Sequence, residues 1–153
     1  MKEFDYDLNY KELDFTDEET RKLYRIGRGE QGVLLVRPYT NDICAHWRFK
    51  TPEIAQKSAK KIYEMYLEYR DDKDFIGMDM CRKFLEMGFT RSRRYANHRD
   101  GKKYDKEGNV IPQEKDHATC HFAKSATIFK KTRDVVAKSA SYVSMRQHWR
   151  ENE

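Results

Sequence analysis

From residue 51 onward the apolar positions fall into a helical rhythm. Ile54, Ser58, Ile62, Met65, Tyr66 and Tyr69 recur at steps of three and four, with Lys57, Lys60, Lys61, Glu64 and Glu68 between them. Thr51-Pro52-Glu53 supplies the start: a threonine to accept from free amides, a proline tolerated at the first helical position, and a glutamate at the positive end of the dipole. Beyond the polar link Asp71–Asp74 a second helix runs through Ile76, Met80, Phe84 and Met87, and Gly88 is expected to stop it as a left-handed cap. The two make an αα-hairpin. Thr90–Asn97 reads as the start of a third helix, and the chain from about Asp116 is helical again, with Phe122, Ala126, Phe129, Val136, Tyr142 and Trp149 inward and a break near Ser139–Ser141.

The first fifty residues have a different rhythm. Phe4, Tyr6, Leu8, Tyr10, Leu13 and Phe15 nearly alternate with acids, the pattern of an extended arm laid on the body, with one helical turn at Asp17–Lys22. Leu23–Ile26 and Val33–Arg37 read as strands, Pro38–Asp42 as a turn, and Ile43, Ala45, Trp47 and Phe49 alternate as a further strand. The expected fold class is therefore α+β, a small antiparallel β-sheet or hairpin covered by the αα-hairpin and a C-terminal helix. One domain is expected over 1–153, with an acidic aromatic arm at 1–20 and a flexible basic loop at 98–115. The periodicities assign Val33, Leu35, Trp47, Ile54, Ile62, Met65, Tyr66, Ile76, Met80 and Phe84 to a single core.

Composition adjusts this picture. Charged residues make up 37% of the chain, yet 13% aromatics supply enough apolar surface for a core. No apolar run approaches the ~20 residues that span a bilayer, and the opening MKEFDYDLNY lacks an apolar signal core, so a cytoplasmic protein without a membrane partner is expected. Cys44, Cys81 and Cys120 are widely spaced and expected to stay reduced. His117, Cys120 and His121 share a helical face but lack a second ligand pair, so neither a metal nor another cofactor is expected.

The net charge of +5 is split: residues 1–20 hold eight acids against Lys2 and Lys11, which leaves +11 on the rest. A body so basic attracts polyanions. The stretch Gly27-Arg28-Gly29-Glu30-Gln31-Gly32 matches G-x-G-x-x-G, but it precedes an expected strand where a dinucleotide fingerprint must open a helix. A kinase loop is excluded as well, because no H-R-D or D-F-G follows. What remains is a turn using glycines for positive φ, with Arg28 at its tip able to meet an anion.

Taken in order, the segments ELDF, LYRIGRGEQGVLLVRPY, HWRFKTPEIAQKSAKKIYEMYLEY, DFIGMDMCRKFLEMGFTRSRRYANH and GKKYD resemble the family known as domain of unknown function 4385 over about residues 4–105, with a looser match beyond Pro112. That resemblance implies a compact intracellular protein of microbial or viral genomes. It implies no activity, cofactor or catalytic residue.

Function is thus read from the residues. Arg91, Arg93, Arg94, Arg99, Lys102, Lys103 and Lys106 face only Asp100 and Asp105 and are interleaved with Tyr95, His98 and Tyr104, a composition suited to holding phosphates and stacking bases. Arg28, Arg48 and Lys50 would extend this surface. The expected function is binding of a phosphate-rich polyanion, most directly nucleic acid. Two alternatives stay open: a small phosphodiester-processing enzyme using His46, His98 and Glu30 with nearby arginines, and a non-catalytic module that binds a protein partner.

Overall fold

The structure, a computed structural model, describes residues 2–153. After a single 3-10 turn at Tyr10–Glu12, the chain forms α1 (Glu18–Arg21), α2 (Tyr39–Cys44), α3 (Pro52–Asp71), α4 (Phe75–Asn97), α5 (His121–Lys138) and α6 (Ala140–Glu151). Among the described residues there is no sheet, only one antiparallel bridge between Tyr104 and Val110. The α+β expectation is therefore wrong: the fold is all-α.

The reason lies in two competing periods. Residues 43–49 alternate, but Val33, Val36, Thr40, Ile43 and Trp47 recur at three- and four-residue steps, and this longer pattern prevails. Val33–Arg37 becomes a chain of turns rather than a strand, tied by Leu35 N to Gly32 O and Thr40 N to Val36 O, and α2 replaces the supposed hairpin turn. The expected strand Leu23–Ile26 does not form either: Leu23 N and Tyr24 N bond back to Thr20 O and Arg21 O as turns after α1, and the segment pairs with no strand.

The helices carry the rest with three corrections: Thr90–Asn97 starts no helix of its own but ends α4, residues 116–120 form turns so that α5 begins only at His121 and His117 shares no helical face with Cys120 and His121, and Gly88 is no stop. Thr51 Oγ1 accepts from Ile54 N and caps α3, and Asp74 caps α4 by accepting from Gly77 N. Gly88 does not end α4, which runs nine residues further to Asn97. A Cβ there would overlap the Phe129 ring, so this glycine serves the close approach of α5 rather than a left-handed turn. α4 is the central element and touches α2, α3, α5 and α6. The core holds Ile62, Tyr66, Ile76, Met80, Phe84 and Val33, with Met65, Leu35 and Trp47 packed at its margin. Ile54, expected inside, is 39% exposed at the first turn of α3. The N-terminal arm docks through Phe4, Tyr10 and Phe15, while most of its acids stay in water. α5 and α6 are separated by the extended Ser139 alone. No helix is long and apolar enough to cross a membrane.

Candidate anion-binding groove

α4 carries Asp79, Arg82 and Lys83 at i, i+3 and i+4, so all three leave the helix on one side. That side is roofed by the arm, the glycine segment and α6, and Asp79 and Lys83 are wholly buried. An ionised carboxylate is tolerable there only if its oxygens are met by donors. Asp79 accepts from the Tyr24 hydroxyl, from Tyr142 Oη at 2.6 Å and from Arg82 Nε at 2.8 Å, with Lys83 Nζ at 3.8 Å. Burial works against its charge, but Arg82 and Lys83, helped by the two tyrosines, outweigh burial and hold the carboxyl down to about 2. Lys83 responds in the opposite sense. Burial pushes its ammonium down to about 7 despite the pull of Asp79, with Arg82 and Arg150 adding to the drop. Its Nζ lies 4.8 Å from the Tyr24 ring centre and 5.1 Å from that of Phe4.

The glycine segment works by its carbonyls. Gly27, Gly29 and Gly32 all have positive φ, and Gly32 leaves space that the Phe4 ring fills. Gln31 Oε1 takes the Arg28 amide at 2.8 Å, while the carbonyls of Gly27 and Gly29 accept from Arg150 Nη2 at 3.1 Å and Arg82 Nη1 at 3.0 Å. The loop therefore orients two guanidiniums instead of offering its own amides to a ligand. Arg150 is further held by Lys2 O at 3.4 Å and Glu153 Oε1 at 3.3 Å, although its Nε and Glu153 Oε2 are buried without partners.

On α6, Tyr142, Arg146 and Arg150 follow one another at four-residue intervals along one face. That face and the glycine segment enclose a groove of about 780 Å³ bordered by Arg28, Arg82, Arg146 and Arg150 together with Val143 and Gln147. Among the described residues no carboxylate lines it. A groove of about 600 Å³ between α3 and α5 has a different character, with Lys60 and Lys131 flanking Tyr63, Ile128 and Val135. Of the groove arginines, sequence reasoning singled out only Arg28. The others had a signal, namely four charges inside the otherwise apolar run FIGMDMCRKFLEM and the four-residue spacing on the last helix.

The expected basic segment is placed otherwise. Arg93 donates to Asn97 Oδ1 at 2.7 Å and to His117 O at 3.0 Å, and Arg99 pairs with Asp116 at 2.8 Å. Tyr95 packs between Phe49 and Phe122, whereas Tyr104 is exposed. Arg94, Lys102 and Lys103 project into solvent and Arg91 is half-buried. The Phe49–Tyr95 contact, with ring centres 5.6 Å apart, brings the link bearing Arg48 and Lys50 to the same end of α4, although Arg48 donates to the carbonyls of Cys44 and Trp47. The three acid–base candidates do not converge. His46 borders a shallow groove with Arg48, Lys57 and Lys61, His98 is buried at the end of α4 with Nδ1 unpartnered, and Glu30 accepts from Thr90 Oγ1 at 2.8 Å. Among the described residues no three His, Cys, Asp or Glu side chains are disposed to hold a metal ion.

The family model described as Domain of unknown function (DUF4385) matches residues 5–152. The chain belongs to this family. The family match reaches through α6, so all four groove arginines lie within it, including the two beyond the segments that carried the resemblance. No curated protein and no solved structure matches the chain.

Proposed function

We propose that this family member binds a phosphate-bearing polymer, a strand of nucleic acid, through the groove between the glycine segment and α6. The observation that carries the reading is the convergence of Arg28, Arg82, Arg146 and Arg150 on one cavity with no carboxylate in its lining. Guanidiniums hold phosphate oxygens through paired donors, and those already fixed by carbonyls lose little freedom on binding. A polymer is favoured over an isolated anion by what lies beyond the groove. The glycine segment follows α4 from Arg82 to Thr90, where the Glu30 carboxylate accepts from the Thr90 hydroxyl, and Arg94 sits one turn past Thr90, about 18 Å of helix rise from Arg82 and roughly a third of a turn round the helix. Arg94, Lys102 and Lys103 can then meet further phosphates, and exposed Tyr104 can stack on a base. The phosphodiester-processing alternative has less support, since His46, His98 and Glu30 lie at three separate places.

A salt titration of binding to a short single-stranded oligonucleotide tests the reading. Affinity should fall steeply between about 50 and 200 mM salt, and Arg28→Ala with Arg146→Ala should flatten the slope by roughly 0.7 per lost contact. Absence of binding at low salt, or a slope untouched by both substitutions, would overturn it.

A further inference from the structure

The groove between α3 and α5 shares no lining residue with the arginine groove and is built differently. The two helices run in the same direction. Phe49 and Phe122 meet near their starts, with ring centres 6.2 Å apart, and the Tyr66 hydroxyl bonds to Ser139 Oγ near their ends. The trough is thus fixed at both ends before anything enters it, which lowers the cost of binding.

Its floor is apolar. Tyr63 from α3 lies opposite Ile128 and Val135, which are seven residues apart on α5, and Val135 is 55% exposed. Thr127 and Thr132 complete that wall but donate their hydroxyl protons to Ala123 O and Ile128 O, each at 3.2 Å, so neither aims a donor at a ligand. Such a floor suits an apolar stripe better than a small polar solute.

The α5 rim is a row of lysines. Lys124, Lys131 and Lys138 are exposed, stand at seven-residue intervals on one face, and take part in no ion pair among the described residues. The only acid of α5, Asp134, is answered by Arg133 at 2.8 Å. On the α3 side Lys60 lines the groove, while exposed Glu64 stands one turn beyond it, so that rim is mixed.

The spacing of the row selects a conformation. Seven residues of helix rise about 10.5 Å, and a second helix laid alongside repeats its own side chains on one face at that interval. A strand offers same-face side chains at about 6.7 and 13.4 Å and falls out of step. A second copy of this chain would set like charges together.

We propose that this trough docks an acidic amphipathic helix of another protein, whose apolar residues enter between Tyr63, Ile128 and Val135 while its acids, at seven-residue intervals, pair with Lys124, Lys131 and Lys138. Recognition is of the helix-in-groove kind. Glu64 on the opposite rim fixes which flank of the partner carries the acids. The proposal is independent of strand binding at the arginine groove.

The test uses the full chain and a fluorescent helical peptide of about 18 residues, enough to cover the roughly 21 Å of helix rise from Lys124 to Lys138. The peptide carries leucines at i, i+3 and i+7 with glutamates at seven-residue intervals beside them. Anisotropy should show it binding about tenfold or more tighter than a scrambled peptide of the same composition. Val135→Glu and Lys131→Glu, both at exposed positions, should each weaken binding about tenfold, the scale of one lost anchor, and leave the melting temperature unchanged within error. Replacing the peptide's central glutamate by lysine should restore affinity for the Lys131→Glu chain. Equal binding of the scrambled peptide, or a loss that the charge-swapped peptide does not restore, overturns the proposal. Displacement of the peptide by an equal concentration of oligonucleotide from a chain carrying Arg28→Ala and Arg146→Ala overturns it in favour of a nucleic-acid surface. Self-association in sedimentation that Val135→Glu abolishes overturns it in favour of a second copy.

Discussion

Between Arg91 and Lys106 the sequence places seven basic residues in sixteen positions, whereas the groove arginines are scattered from residue 28 to residue 150. In the folded chain the dense segment spends part of its charge internally: Arg93 is satisfied by Asn97 and a backbone carbonyl, Arg99 by Asp116, and Tyr95 is enclosed by other rings. The scattered set converges, and its two inner members are fixed by glycine carbonyls above a buried carboxylate. Charge density along a chain thus differs from charge available to a ligand. What separates the two sets is placement: Arg28, Arg82, Arg146 and Arg150 border one cavity, whereas Arg93 and Arg99 are tied to partners at the far end of α4.

The comparison can be broken most forcefully at the carboxylate. Asp79→Ala leaves Arg82 and Lys83 buried without their counter-ion and should cost about 3–5 kcal/mol in denaturant unfolding, the range for stranding one partner of a buried pair. Breaking the exposed Arg99–Asp116 pair with Arg99→Ala should leave the melting temperature unchanged within error, because such pairs are screened by water. A comparable loss in both variants would erase the distinction between anchored and peripheral arginines.

Next in size is the glycine segment. Gly32→Ala combines an unfavourable φ of +79° with a Cβ that meets the Phe4 ring, and should cost about 1–3 kcal/mol. Gly29→Ala has a φ of +53° but nothing within 4 Å of the added carbon, so only the conformational cost of roughly 1 kcal/mol is expected. Thermal melts of the two variants should rank in that order; the reverse ranking would show that Phe4 does not seat the loop.

Smaller again is the effect on binding of emptying the peripheral patch. Lys102→Ala with Lys103→Ala should reduce affinity for a strand less than Arg28→Ala with Arg146→Ala does at about 50 mM salt, and by a factor that shrinks as salt rises. If the lysine pair mattered more, the dense segment would be the principal site after all.

The last expectation concerns pH. Asp79 is held at about 2, below its ordinary 3.8, so its contribution is complete above about pH 4 and is lost as pH falls toward 2. Lys83 is held at about 7 against 10.5, so between those values the unfolded chain binds the extra proton and stability rises with pH. Lys83→Met should flatten the rise measured from pH 7 to 9.5. A wild-type stability that declines across that window would contradict the burial of this ammonium.

These contrasts explain which parts were legible in the sequence. α3 was readable in its start and in most of its inward face because cap, proline and apolar stripe agree, although Ile54 at its first turn stays exposed. α4 was readable in period but not in length, since a glycine required by a neighbouring ring looks the same in sequence as a glycine required by positive φ, and Gly88 is the former. The supposed hairpin failed because residues 33–49 satisfy both a two-residue and a longer repeat, and only packing on α4 chooses between them. The groove was invisible in outline because its arginines come from three separate segments and local charge counts cannot register convergence. Arg28 was noticed for the glycines around it. Arg146 and Arg150 needed the knowledge that α6 returns to the same loop.

That return has a further consequence. Arg150 touches the backbone of residue 2, and Trp149 Nε1 donates to the carbonyl of Tyr24 at 3.1 Å, so the beginning and end of the described chain are neighbours. A short glycine-rich connector joining them, with a new opening cut in the exposed turn at Asp105–Gly108, should give a circularly permuted protein that still folds. In such a chain α6 would precede the arm it clamps, and the last helix to be synthesised would be α4. Groove assembly would then await the centre of the molecule rather than its edge, which separates the order of synthesis from the order of packing in a single rearrangement.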